Sequence, residues 1–382
     1  MTVTVSTYNE DILRLSLVPG LGPTLIRRCL ESLGLPSAVI NASLGDLVAV
    51  EGIGPETATK FLAQIDSSQM DQSLVLEKQL IEEHGVSLCS QDDDQYPQLL
   101  RHIPDPPPLL FIKGQIVESD AVSLAVVGAR RCTQYGREQA ARLATLSSQA
   151  GLCVVSGGAY GIDAAAHRAV LAAGGRTIAI ISSGLARPYP REHTSLFNQI
   201  ANGYGAVISE LPMGYPVLAE NFPRRNRIIS GMSLGVLVIE ASVRSGALIT
   251  ARICVEDHGR ELMVLPGRVD SPSSAGCHKI IREGWATLIT SGTDILDALG
   301  ETGQLLRTGP SVPHTDSATN PRLLADVTES QRKIINVLQS PLALDQVLSM
   351  TCLPVSVVQA DLAMLEIRGL IRRVGNQFSV SL

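Results

Sequence analysis

The chain is poor in aromatic residues: they make up 3% of its 382 residues, with a single tryptophan. Few flat surfaces are therefore available on which a planar ring could stack. Its cysteines, at 29, 89, 132, 153, 254, 277 and 352, are odd in number, scattered and free of Cys-x-x-Cys spacing. That excludes a disulfide framework and points to a reducing compartment. Cys277-His278 is the one adjacent Cys/His pair, and the other ligands of a zinc site are missing around it, so no metal is expected. No stretch reaches the ~18 consecutive apolar residues of a membrane span. The first residues, Met1-Thr-Val-Thr-Val-Ser-Thr-Tyr-Asn, have no basic stretch leading into an apolar one, so a soluble, cytoplasmic protein is expected.

What the chain does have is apolar bulk and arginine. Hydrophobic residues make up 45%, enough for sizeable cores, and the length asks for two or three domains. The net charge of −6 is unevenly spread: residues 1–120 carry 7 basic and 17 acidic side chains, 121–300 carry 17 and 13, and 301–382 carry 7 of each. In the middle region every basic residue but Lys279 is an arginine. A polyanion would find its favourable field there and not over the acidic amino-terminal segment.

Residues 1–85 repeat Val18-Pro-Gly-Leu-Gly-Pro23 as Val50-Glu-Gly-Ile-Gly-Pro55, at an offset of 32. Each copy reads as a helix, a tight Gly-x-Gly hairpin, and a helix opened by proline at its first turn. This small all-α domain, helix-hairpin-helix-like or SAM-like, has two open readings. It offers backbone N–H groups to phosphate, or it is a structural or protein-binding unit.

A proline-rich connector over 86–120 opens the segment 86–300, with Leu109-Leu-Phe-Ile112 expected as an edge strand. From 121 onward, apolar runs at 124–127, 153–156, 177–181, 206–209, 236–240, 261–265 and 287–289 alternate with helical text. That alternation predicts an α/β fold with a doubly wound, mostly parallel sheet, whose ligands sit at the carboxyl ends of the strands. Residues 301–325 read as a linker. Residues 326–382 read as three helices and a two-stranded wing, a winged-helix domain. Its last helix offers only Gln359 beside Asp361 and Glu366, which leaves base reading and protein docking both open.

Several strand ends carry residues suited to an anion. Phe222-Pro-Arg-Arg-Asn-Arg-Ile-Ile-Ser-Gly231 sets Arg224, Arg225, Asn226 and Arg227 just ahead of the apolar run Val236–Glu240, and a guanidinium forks onto phosphate in bidentate fashion. Ser156-Gly157-Gly158-Ala-Tyr-Gly161 follows a strand and opens a helix, the context in which a glycine turn cradles phosphate. Its glycine spacing is not the dinucleotide fingerprint, and no Gly-Lys-Ser/Thr follows it, so neither NAD nor ATP, and no cofactor, is expected. Gly128 and Arg130, Arg187 and Arg191, and Ser245, Gly246 and Thr250 follow other strands onto the same edge. Asp163 and His167, four apart on one helix face, are either an acid/base pair or a helix cap and a loop hydrogen bond. No catalytic residue is assigned. Arg224 or Arg225 could instead brace Glu240.

Taken in order, Val127-Gly-Ala-Arg130, Ser156–Asp163 with Ala166-His167, Tyr189-Pro190, Ser209-Glu210, Phe222–Gly231, Val238-Ile-Glu-Ala241, Ser245–Ala251 and Leu265-Pro-Gly267 span nearly all of 121–300. This set resembles the DprA/Smf (DNA-processing protein A) family. The resemblance implies a Rossmann-like central domain that binds single-stranded DNA without catalysis. It further implies protection of incoming strands during natural transformation, interaction with RecA and help in loading it, and a homodimer. Carried onto this sequence, Arg130, Gly157, Gly158, Arg224, Arg225, Arg227, Ser245, Gly246, Thr250 and Lys279 become DNA-contact candidates. Gly276-Cys277-His278-Lys279 departs from the family, which often has Asn after that Gly. With only Tyr160 and Phe222 available for stacking among the central motifs, contacts are expected to be phosphate-dominated, sequence-independent and salt-sensitive.

The enzymatic alternative is a nucleotide hydrolase of the cytokinin-activating phosphoribohydrolase type, on a related sheet. Such enzymes rely on Pro-Gly-Gly-x-Gly-Thr-x-x-Glu at a strand end, where this chain runs from Val236–Glu240 into Ala-Ser-Val-Arg244. A pure protein-interaction scaffold would suit the acidic amino terminus but leaves the arginines without a role.

Overall fold

The computed structural model describes residues 6–308, 329–338, 342–351 and parts of 353–380. They fall into two units, Met1–Thr308 and Gly309–Leu382.

Six helices open the first unit: α1 Thr7–Ser16, α2 Pro23–Leu33, α3 Pro36–Ile40, α4 Leu44–Val48, α5 Pro55–Ile65 and α6 Ser68–Glu83. The two repeat copies fold alike. Pro23 and Pro55 open α2 and α5, where a missing N–H leaves no helical bond unmade. Gly20 and Gly52 turn the hairpins at φ 87° and 89°, backbone that a side chain rarely enters. Ile12, Leu15, Ile26, Leu47 and Phe61 share one core with Leu109, Phe111 and Val207 of the sheet.

Nine strands form that sheet: β1 Val86–Ser90, β2 Leu109–Gly114, β3 Ser123–Val127, β4 Cys153–Ser156, β5 Thr177–Ile180, β6 Gly205–Ser209, β7 Gly235–Val238, β8 Glu261–Val264 and β9 Thr287–Leu288. Their order is β1-β2-β6-β5-β4-β3-β7-β8-β9. β3 to β9 pair in parallel, and β1 and β2 are antiparallel additions. The connecting helices are α7 Gln98–Arg101, α8 Gln134–Gln149, α9 Ile162–Ala172, α10 Thr194–Gln199, α11 Asn221–Gly231, α12 Ala247–Arg252, α13 Ala275–Arg282, α14 Gly292–Ala298 and α15 Gly300–Thr308. Leu124 and Val126 point into a core with α8 and α9, while Ala125 and Val127 point into a core with α11, α12 and α13. Burial on both faces is why the strands read as unbroken apolar runs.

Two expectations need correction. Leu109–Ile112 is not at the edge: β2 lies between β1 and β6, and its four apolar residues are all buried, as an unbroken apolar run requires. The edge belongs to Val86-Ser-Leu-Cys-Ser90, whose serines disguise it and which follows α6 almost directly. Residues 301–308, expected within a linker, continue as helix α15, and 309–328 lie outside the described residues.

In the second unit, α16 Glu329–Val337 and α17 Leu344–Thr351 accompany a small sheet of β10 Leu342–Ala343, β11 Ile371–Val374 and β12 Gln377–Val380, ordered β10-β12-β11. Ile334, Val347, Leu362, Ile371 and Phe378 form its core. This is the expected winged helix, its wing enlarged by β10. Of its last expected helix, Gln359 and Glu366 lie outside the described residues.

Candidate nucleic-acid interface

β3 and β7 are neighbours, yet the chain leaves them toward opposite faces of the sheet, to α8 on one side and α12 on the other. Such a switch point opens a crevice beyond the strand ends. The crevice holds a cavity of about 440 Å³, lined by Gly128, Arg130 and Arg131 after β3, Asp163 on α9, Phe222, Arg225 and Asn226 on α11, and Ser242, Ser245, Gly246 and Thr250 after β7.

Glycines let these segments converge. A Cβ on Gly157 would strike the Arg225 guanidinium, and one on Gly161, at φ 79°, would strike the Ala129 and Arg130 carbonyls. Ser156 donates its hydroxyl to the Val126 carbonyl at 2.6 Å, tying β4 to β3. Gly157 and Gly158 are buried beneath the crevice, and the Gly158 carbonyl is held by His193 Nδ1 at 2.9 Å.

The arginines of α11 meet three different fates, because each residue turns about 100° around the helix axis. Arg224 is exposed. Arg225 is 5% exposed; its Nη1 donates to the Ile180 carbonyl, and its Nε has no partner among the described residues. Burial pushes its pKa down to about 10, against the opposing pull of the Asp163 charge. Asp163 is itself pushed up by burial, with Arg225 pulling it back, and accepts the Ala159 N–H at 3.3 Å.

Arg227 points away from the crevice. Its Nη1 and Nη2 fork onto Glu210 at 3.0 and 2.6 Å, and its Nε reaches Asp105 at 3.1 Å. Burial works against this charge, but the two carboxylates outweigh it and raise the pKa.

Arg130 is exposed, its guanidinium 4.4 Å over the Phe222 ring, a cation–π seat that keeps the fork facing the crevice. Phe222 in turn meets Tyr189 edge-on at 5.7 Å. Arg187, Arg191 and Lys279 do not line the cavity; the two arginines are exposed and Lys279 stands 3.8 Å from Glu283.

The remaining site expectations resolve as follows. Among the described residues no arginine, Arg224 and Arg225 included, braces Glu240; its carboxylate accepts the Thr133 N–H at 3.1 Å and the Thr133 hydroxyl at 2.6 Å, fastening the start of α8 to the end of β7. Asp163 and His167 are not a pair. Asp163 holds the turn before α9, whereas His167 Nδ1 donates at 2.7 Å to Thr177 Oγ, a strand residue and not a loop one. The Thr177 hydroxyl proton is already given to the Val154 carbonyl. Burial pushes His167 down to about 3, helped by His193 and Arg225.

One further motif is inert. Gly231-Met-Ser-Leu-Gly235 has the spacing of a nucleophile elbow, but it joins a helix to a strand, not a strand to a helix. Ser233 is buried and donates to the Ile229 carbonyl at 3.0 Å.

Sequence reasoning missed Arg131, Ser242 and Ser273 in the cavity. It also missed a second hollow of about 690 Å³ sharing Arg130 and Arg131 and lined by Arg137, Arg168, Tyr160 and His193. Arg137 and Arg168 sit on α8 and α9, 31 positions apart, and only the packing of those helices brings them together.

Sheet and crevice define a class: a doubly wound α/β protein with an arginine-lined crevice at its switch point, joined in one chain to a winged helix. The family model for DNA recombination-mediator protein A matches residues 87–300, and that for the DprA winged helix domain matches 318–377. The chain is 34% identical to protein Smf of a Synechocystis strain, over 93% of this chain and 94% of the relative. It is 40% identical to DNA processing protein DprA of Streptococcus pneumoniae, over 66% of this chain and 86% of that one. The X-ray structure of the pneumococcal protein matches with a TM-score of 0.66 and 37% identity, covering 78% of this chain and 98% of its own. A structure addressing the single-stranded DNA binding mode of DNA processing protein A from Helicobacter pylori matches with a TM-score of 0.50 and 27% identity, covering 56% and 95%. The chain belongs to the DNA recombination-mediator protein A (DprA/Smf) family of DNA recombination mediators.

Proposed function

We propose that the chain binds single-stranded DNA, without catalysis, in the crevice at the ends of β3 and β7. The observation that carries this reading is Arg225, a cavity-lining residue whose buried guanidinium keeps an Nε with no partner among the described residues. A buried cation short of partners is unfavourable until an anion supplies them. Arg130, Ser245 and Thr250 line the same cavity and bring further hydrogen-bond donors to it. A strand is favoured over a nucleotide substrate because Asp163 is the only carboxylate lining the cavity among the described residues, and glycosidic hydrolysis ordinarily uses a pair. Gly128, Gly157, Gly158, Asn226 and Gly246 then serve close backbone approach, while Arg187, Arg191, Arg224 and Lys279 extend the field along the strand's path.

RecA interaction, a homodimer, cytoplasmic location and a role in natural transformation belong to the same reading and rest on family membership. Among the described residues no helix is long and apolar enough to cross a membrane.

The test is titration of a labelled oligothymidylate at increasing potassium chloride. Log affinity should fall linearly with log salt, at ~0.7 per phosphate neutralised, and Arg130→Ala with Arg224→Ala should weaken binding and flatten the line. Salt-independent binding contradicts the proposal. Release of free base from a nucleoside monophosphate would restore the hydrolase reading.

A further inference from the structure

The side of α11 that faces away from the crevice is held by a chain of alternating charge. Arg27 on α2 donates from Nε to Asp105 at 2.8 Å, and Thr24, also on α2, donates its hydroxyl to the same carboxylate at 3.2 Å. Asp105 accepts in turn from Arg227 Nε at 3.1 Å, and Arg227 forks onto Glu210, just past β6. The series Arg27, Asp105, Arg227, Glu210 therefore runs from the amino-terminal helices to the helix that presents Arg225.

Burial works against the Asp105 charge, but Arg227 and then Arg27 outweigh it and hold the carboxylate below its ordinary range. The side chains of Arg27 and Arg227 are 16% and 12% exposed, so each leans on carboxylates more than on water, Arg27 on Asp105 and Glu31 and Arg227 on Asp105 and Glu210. Asp105 is flanked by Pro104 and Pro106, whose fixed φ angles limit how far its backbone can yield.

The carboxyl end of α11 is fastened independently. Arg260 Nη1 accepts no compromise there: it donates to the Ser230 and Gly231 carbonyls at 2.7 Å each, and Nη2 donates to the Leu99 carbonyl at 2.7 Å. With that end pinned, the Asp105–Arg227 contact holds the same turn of α11 that carries Arg225. A second anchor of the amino-terminal helices, Glu77 accepting the Met213 N–H, touches the loop after β6 and not α11.

We propose that Asp105 is a positioning residue for the crevice: by joining α2 to α11 it makes the amino-terminal helical segment set the orientation of Arg225. The consequence for DNA binding rests on the function proposed above; the mechanical coupling does not.

The test is hydrogen exchange on the full chain, comparing the parent with Asp105→Asn and Arg27→Gln. Both variants should speed exchange of the α11 amides, by about ten-fold, while the amides of β3, β4 and β5 keep parental protection. Lys78→Gln, which breaks the 2.7 Å pair with Glu10 inside the helical segment, should leave α11 unchanged. In oligothymidylate titrations, Asp105→Asn should lower the salt slope by ~0.7, the loss of one phosphate contact. Parental exchange of α11 in both variants overturns the proposal. Equal loosening of β3 to β5 also overturns it, because Asp105 would then be an ordinary brace of the fold. A parent that fails to bind oligothymidylate defeats the functional reading but leaves the exchange result to decide the coupling.

Discussion

The two sides of α11 treat one residue type in opposite ways. Facing the crevice, Arg225 is buried without a carboxylate bonded to it and keeps an unpartnered Nε. Facing outward, Arg227 is matched by Glu210 and Asp105. The difference teaches that an arginine cluster read from a sequence counts charges, whereas a binding site depends on charges left unmatched. Two residues of helical offset decide which is which.

Perturbations should separate the two sides. The largest effect is expected from Arg227→Ala, which leaves the buried Glu210 and the half-buried Asp105 short of their cation; breaking such a pair costs about 3–5 kcal/mol, readable in urea unfolding. Arg225→Gln should cost less stability and more binding. It removes a buried charge that has no carboxylate bonded to it, so stability falls less than in Arg227→Ala, while oligonucleotide affinity falls by about 2 kcal/mol, within the range for a charged hydrogen bond. Equal stability losses in the two variants would erase the distinction between them.

A third effect depends on pH. The folded pKa of His167 is depressed to about 3 and that of His258 to about 4, burial being the main cause in each. Their unfolded forms bind protons first, so the stability they contribute is complete above the ordinary histidine pKa of ~6.5 and is lost as pH falls below it. From pH 7 to pH 5 the unfolding free energy should drop by about 2 kcal/mol for the fully buried His167 and by less for the half-buried His258, whose charge solvent screens, and His258→Gln should remove its part of that drop. A flat profile would mean that neither imidazole is held neutral.

The smallest effect is expected at the seam that closes the crevice floor. Thr133→Val removes the 2.6 Å bond to Glu240 and the cap on α8, at about 1 kcal/mol for the cap, with little change in DNA affinity. A large loss of affinity would mean that Glu240 serves the site directly.

Much of the fold was legible because each parallel strand is buried on both faces and so announces itself as an apolar run, as Leu124–Val127 and Val236–Val238 do. β1 was not legible, since Ser87 and Ser90 interrupt a short edge strand. The site was legible at its turns, where Gly128, Gly157 and Gly161 mark close backbone approach. Its electrostatics were not. That Arg227 would find Asp105, 122 positions away, or that Arg137 and Arg168 would share a hollow, follows from packing that no local pattern encodes.

The most direct measurement of the central claim is the salt dependence of oligothymidylate binding by the parent, Arg225→Gln and the control Lys78→Gln, whose charge pairs with Glu10 away from the crevice. A steep parental line, flattened and lowered by Arg225→Gln but shared by Lys78→Gln, is the predicted result. Arg225→Gln binding with the parental affinity and slope would contradict it.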